Sequence, residues 1–148
     1  MNDTYTPTPL EALVARDEIR QLMARYNLAG DTGRREEFAA LFSHDAQLTA
    51  PGLDLRTRDG IMAGLFSASP KAEPAFKVYR HHLTTSKIEI TSDTTAQART
   101  YFLVITDIGL DHTGVYSDEF RKESQGWRIA RRVVRLDHVS PQSLQFSS

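Results

Sequence analysis

Arg80-His81-His82-Leu83-Thr84-Thr85-Ser86-Lys87-Ile88-Glu89-Ile90 is the stretch that decides the fold. Counting back in twos from Ile90 gathers Ile88, Ser86, Thr84 and His82 on one side, the alternation of a half-buried strand. The same period continues downstream. Ala96, Ala98, Thr100, Phe102 and Val104 share a face, with Gln97 and Arg99 opposed. Thr113 to Lys122 and Trp127 to Leu136 complete the set, separated by the turn-like Asp107-Ile108-Gly109 and Glu123-Ser124-Gln125-Gly126.

Upstream the period changes. Thr8-Pro9-Leu10-Glu11 predicts a capping box with proline in the first turn of a helix. Leu10, Leu13 and Val14, then Ile19, Leu22, Met23 and Tyr26, recur at helical spacing, and Gly30 is the expected left-handed stop. A second, shorter helix is expected over Arg34 to Phe42, with Phe38, Leu41 and Phe42 on one side. A short strand over Ala46 to Ala50, a third helix over Gly60 to Phe66 and a loop over Ser67 to Pro74 follow. Helices first and meandering strands afterwards define an α+β domain: three N-terminal helices on one mostly antiparallel sheet, not alternating βαβ units. Residues 1–148 read as a single domain, with 1–8 and 141–148 flexible or docked on a neighbouring subunit. A strongly curved sheet leaves a central pocket between its concave face and the helices. His82, Thr84, Thr100, Tyr116 and Asp118 are polar residues on faces that otherwise read as core.

Composition narrows the function. The 148 residues are 40% hydrophobic and 25% charged, ordinary globular values. Eighteen basic against nineteen acidic residues leave no footprint for nucleic acid. The chain has no cysteine, which removes thiol nucleophiles, disulfides and thiolate metal sites. No basic leader followed by an apolar run and no membrane-length apolar window is visible, so a cytoplasmic protein that does not engage membranes is expected. G-x-S-x-G, P-loop and G-x-G-x-x-G patterns are absent, and no cofactor is expected. Adjacent strand residues point to opposite faces, so His81 and His82 cannot ligate one ion; with no helical ligand spacing elsewhere, no metal is expected either.

Among the candidates, His82 shares the inward face with Ile88 and Ile90, while His81 reads as a surface residue. Asp31 can be a turn or capping residue as easily as a functional carboxylate. Tyr26 lies on the buried stripe of the first helix, where a core aromatic is the plain alternative. Strict alternation groups Arg131 and Arg135 with Trp127 and Ile129, and Arg132 with Val134; a bulge would reverse this. Asp111 and His112 lie near a hairpin turn, where solvated side chains are expected.

Ile19-Arg-Gln-Leu-Met-Ala-Arg-Tyr26, Gly30-Asp31, Glu37-Phe-Ala-Ala-Leu-Phe42, Arg80 to Ile90 and Gly126-Trp-Arg-Ile-Ala-Arg-Arg132, in this order, resemble the SnoaL-like branch of the nuclear-transport-factor-like superfamily. The resemblance spans roughly residues 10 to 137. It implies a cone-shaped barrel with a deep apolar pocket, and cofactor-free lyase chemistry by an Asp–His pair, as in the family's dehydratases and its dehydrochlorinase. It puts the carboxylate on Asp31, the histidine on His82, an assisting tyrosine on Tyr26 and an arginine on Arg132, with Arg135 as a competing position. The second histidine of scytalone dehydratase falls near Thr113, beside His112 but not on it. The expected function is a dehydratase-like lyase or isomerase in which His82, held by Asp31, takes a proton from a hydrophobic cyclic small molecule. Phe66, Phe102, Val104 and Tyr116 are the expected pocket lining. A non-catalytic small-molecule-binding or scaffold domain of the same fold is the alternative from another class, and polyketide cyclisation shares the proton chemistry. The family also implies a homo-oligomer, a trimer ahead of a dimer.

Overall fold

The computed structural model describes residues 5–66 and 76–146; the loop expected over Ser67 to Pro74 lies outside them. Helix α1 runs from Pro9 to Asp31, opened by the expected capping box. The Thr8 hydroxyl accepts from the Glu11 amide, and the Glu11 carboxylate accepts from the Thr8 amide at 2.8 Å. The helix does not stop at Gly30. That residue is helical, and a Cβ there would lie only 3.3 Å from the Phe38 ring, so the glycine serves close approach, while Gly33, at φ 69°, takes the left-handed position. The inward stripe is Ile19, Leu22, Met23 and Ala29, whereas Leu10 is 69% exposed and Leu13 and Val14 are also exposed, on the N-terminal turns.

Helix α2 is shorter than expected, Arg35–Ala39, because the chain is already extended at Phe42. Strand β1 (Phe42–Ala50) pairs in parallel with the last strand, and β2 (Leu53–Arg56) folds back on it through Pro51-Gly52. Helix α3 covers Arg58–Leu65. Strands β3 (Tyr79–Ile90), β4 (Thr95–Thr106), β5 (Gly109–Glu123) and β6 (Gly126–Val139) form the antiparallel meander. The sheet order is β2-β1-β6-β5-β4-β3, mixed through the one parallel β1–β6 pair, and it is not closed: β2 and β3 are its edges.

Bulges break the simple alternation in β3 and β6 and so change which side chains face inward. In β3, Leu83 pairs with Phe102 and Ser86 with Thr100, so Thr84 and Thr85 together oppose Tyr101. The additional residue changes the parity of the strand. Ser86, Ile88 and Ile90 do turn inward, but on the other side of the bulge the inward residues are Leu83, His81 and Tyr79. His82 and Thr84 are exposed on the opposite face. In β6, Phe120 pairs with Ile129 and Glu119 with Arg131, so Ala130 is the additional residue. Arg132 thereby joins Trp127 and Ile129 on the inner face, while Arg131 and Arg135 point out to Glu119 and Asp137.

Gly114 leaves the room that the inner face needs. It pairs with Phe102, whose ring leans over it and stacks on Tyr116 at 4.4 Å and 18°. A Cβ at position 114 would sit 2.8 Å from that ring and 2.0 Å from the Arg135 carbonyl oxygen. Gly114→Ala is therefore expected to lower unfolding stability by about 1–3 kcal/mol, read as a fall in the urea midpoint at unchanged slope.

Candidate functional site

The end of α1 meets the start of β3, and two chemically matched groups meet there. Asp31 is the last residue of the helix and its side chain is 4% exposed. Its carboxylate accepts twice from one residue: the His81 backbone amide at 2.9 Å and the His81 Nδ1 at 2.7 Å. An ionised carboxylate only accepts, so Nδ1 carries the hydrogen of this bond, and Nε2 points away from Asp31 on the other side of the ring. The histidine held by Asp31 is thus His81, not His82; the Thr84–Thr85 bulge is the physical reason for the one-residue change.

A second pair of the same kind lies across the sheet. His81 is level with Val104 on β4, and Val104 with His112 on β5, so the histidines share a row with their backbones roughly 10 Å apart. His112 is buried rather than solvated, and its Nδ1 lies 2.7 Å from the Asp111 carboxylate. Both neighbours can be buried because Asp111 is itself a bulge residue: Val104 pairs with His112 and Ile105 with Leu110. Asp111 also accepts from the Thr106 and Ser143 hydroxyls and from the Leu144 amide. Burial pushes its pKa up, but these hydrogen bonds outweigh it and hold the group below the ordinary carboxylate value. Burial pushes His112 below 6.5, with Asp111 opposing and the nearby His81 adding to the fall.

That depression has a stability consequence. The unfolded chain takes up the His112 proton near pH 6.5 and the folded chain only at lower pH, so the unfolded state binds more protons in that window. The neutral imidazole's contribution is fully present above 6.5 and is lost as pH falls through the window. His112→Phe is expected to flatten the decline in urea midpoint between about pH 7.5 and about pH 5 relative to the parent.

Two cavities adjoin at this row. One, of about 200 Å³, is lined by His81, His112, Tyr79, Phe102, Tyr116 and Phe146 among others; the second, of about 250 Å³, reaches Asp31, Asn27 and Phe66. Tyr26, Leu65, Tyr79 and His81 line both, so together they make an elongated slot. Phe66, Phe102 and Tyr116 line the slot, whereas Val104, between the two histidines in their row, is fully buried and lines neither cavity. Burial raises the pKa of Tyr26, Tyr79 and Tyr116, so all three phenols stay protonated. Among the described residues the Tyr79 and Tyr116 hydroxyls have no hydrogen-bond partner, which leaves them as donors for a ligand.

Arg132 is inside but does not line either cavity. Its Nε and Nη2 donate to the two Asp118 oxygens at 2.7 and 2.8 Å, and its guanidinium carbon lies 4.1 Å from the Tyr26 ring centre and 4.0 Å from that of Tyr116. Burial opposes its charge, and Asp118 outweighs burial. The expected anion-complementing charge is therefore already neutralised by Asp118, and what Arg132 does here is hold two tyrosine rings at fixed spacing.

Tyr79, Asp111 and His112 were not legible as site residues from alternation alone. Two signals bore on them: Tyr79 stands two places before His81, and His112 stands beside the position implied for a second histidine. No cluster of three or more His, Asp or Glu that could hold a metal occurs among the described residues, and none of their helices is long and apolar enough to cross a membrane.

Helices packed on an open, mixed six-stranded sheet are the α+β architecture that this chain shares with solved proteins of cystatin-like fold. An NTF2-like protein with a cystatin-like fold from Novosphingobium aromaticivorans matches at TM-score 0.77 and 26% identity, covering 94% of this chain and 92% of that one. A candidate scytalone dehydratase from the same organism matches at 0.73 and 26%, covering 88% and 89%. Hexachlorocyclohexane dehydrochlorinase type 3 from Novosphingobium barchaimii matches at 0.74 with 18% identity, covering 90% and 93%, a likeness of fold. The SnoaL-like domain model matches residues 11–133, and the chain belongs to that family. No curated protein matches the chain.

Proposed function

We propose that the protein is a cofactor-independent lyase or isomerase that removes a proton alpha to a carbonyl on a neutral ring compound. The Asp31–His81 pair, opening on an apolar slot, is the observation that carries this reading. His81 Nε2 takes the proton from carbon while Asp31 stabilises the imidazolium that forms. The electron pair left on carbon moves into the carbonyl, and a neutral phenol, Tyr79 or Tyr116, donates a hydrogen bond to the developing enolate oxygen. The enolate then expels a β-substituent, giving an alkene, or is reprotonated at another carbon, giving an isomer. His112, neutral and with Nδ1–H given to Asp111, offers its Nε2 as an acceptor for a substrate hydroxyl at the far end of the row. The likeness to a candidate scytalone dehydratase supports the elimination branch.

The test is solvent exchange. A bicyclic ketone such as 2-tetralone, incubated with the protein in heavy water, is expected to gain deuterium at its alpha carbon faster than in buffer. Asp31→Asn is expected to slow this by about 10²-fold or more, because the imidazole loses its orienting acceptor. Exchange no faster than buffer across a panel of ring ketones rejects the reading.

A further inference from the structure

The residues after β6 turn back on the protein's own pocket. The Ser140 amide donates to the Asp111 carbonyl at 2.8 Å, and Ser143 is buried, its hydroxyl donating to the Asp111 carboxylate at 2.7 Å. The same serine oxygen accepts from the Gln145 and Phe146 amides at 3.2 and 3.0 Å, closing a tight turn. That turn delivers the Phe146 ring edge-on to His112, with centres 4.8 Å apart, and puts Gln145 and Phe146 on the wall of the 200 Å³ cavity. One carboxylate thus holds both an imidazole of the slot and the segment that walls it.

We propose that Ser140–Phe146 is a size-determining wall of the slot, latched by Ser143 onto Asp111, so that substrate length and the orientation of His112 are set by one junction. This deepens the proposed reaction and rests on the slot being its site. The argument is geometric. Gln145 and Phe146 are held mainly by backbone bonds to a single serine oxygen, and that serine is held by a carboxylate already committed to His112. Removing the serine hydroxyl frees the Gln145 and Phe146 amides and the shorter of the segment's two bonds to the Asp111 carboxylate, leaving that of the Leu144 amide at 3.2 Å. With the wall in place the 200 Å³ cavity at the His112 end of the slot admits one or two fused rings, given that an apolar cavity of about 150 Å³ holds benzene. With the wall released, the end beside His112 is open to solvent and a third ring fits.

The experiment compares binding of 2-naphthol and 2-anthrol, by fluorescence, to the full chain, to Phe146→Ala, to Ser143→Ala and to a chain ending at Val139. The full chain is expected to prefer the two-ring phenol by roughly tenfold, and each variant to bring the ratio near one. In parallel, the hydrogen-bonded Nδ1–H signals of both histidines are followed by NMR. Ser143→Ala is expected to broaden or move the His112 signal and leave that of His81 in place, whereas Phe146→Ala, a half-exposed side chain whose loss does not endanger folding, changes the size preference with the His112 signal retained. An unchanged ratio in both Phe146→Ala and Ser143→Ala overturns the proposal, as does failure of 2-naphthol to bind the full chain. Neither readout requires turnover, so an inactive protein with intact size preference rejects the lyase reading and leaves the wall standing.

Discussion

His81→Ala is expected to abolish the proton transfer, lowering kcat for deuterium exchange by about 10²–10⁴-fold, the range that a positioned general base supplies. The control is its neighbour. His82 is exposed on the other face of β3, with no contact to Asp31, and His82→Ala is expected to keep activity within about twofold, since surface changes away from a site cost little. The pair is a sharp discriminator because the two substitutions are chemically identical and one residue apart. Loss of activity in His82→Ala with retention in His81→Ala would falsify the assignment of the base. His81→Gln refines the test: it retains a polar side chain of similar reach but has no basic nitrogen, so it should restore folding without restoring turnover.

Arg132→Met is expected to be the most destabilising single change, at roughly 3–5 kcal/mol, because it leaves the fully buried Asp118 carboxylate without its partner. The loss is one of context rather than of the pair's own worth. Replacing both, as Arg132→Met with Asp118→Leu, is expected to recover most of the deficit, because no buried charge then remains unpaired. Urea unfolding of the two singles and the double closes the cycle. Equal destabilisation by the double and the Arg132 single would show that the tyrosine contacts, not the ion pair, dominate. In either case Tyr26 and Tyr116 lose the guanidinium that both rings contact, so ring binding in the slot should weaken even at temperatures where the double variant is fully folded.

Most of the architecture was readable because it depends on periods that survive averaging. The Thr8–Glu11 box, the Ile19–Leu22–Met23 stripe and the alternation through Ala96 to Val104 each involve several residues, and each is where the structure has it. The site was less readable, since it depends on phase. One additional residue at Thr84–Thr85 moves the inward histidine from 82 to 81, another at Ala130 brings Arg132 inside, and a third at Asp111 lets two consecutive residues be buried. A bulge costs one residue and carries no composition signature that alternation would detect. Asp31 was the exception: it is the last residue of a helix, and that position survives any slip in the strands. The resemblance to a SnoaL-like site pointed to Asp31 and to β3, and only the fold shows which histidine of that strand meets the carboxylate.

Because the sheet does not close, β3 is left as a twelve-residue edge strand, the kind of edge that can pair with another extended chain unless it is protected. The polar residues that the bulge turns outward then acquire a use unrelated to chemistry. Arg80, His82, Thr84, Lys87 and Glu89 face solvent along that edge, and the local twist at Thr84–Thr85 spoils it as a template for a straight incoming strand. Replacing Lys87 and Glu89 with valines would leave the slot untouched and still compromise the protein, by making it prone to add strands from its own copies at high concentration. The bulge that turns His81 toward Asp31 also guards the colloidal behaviour of the molecule that carries it.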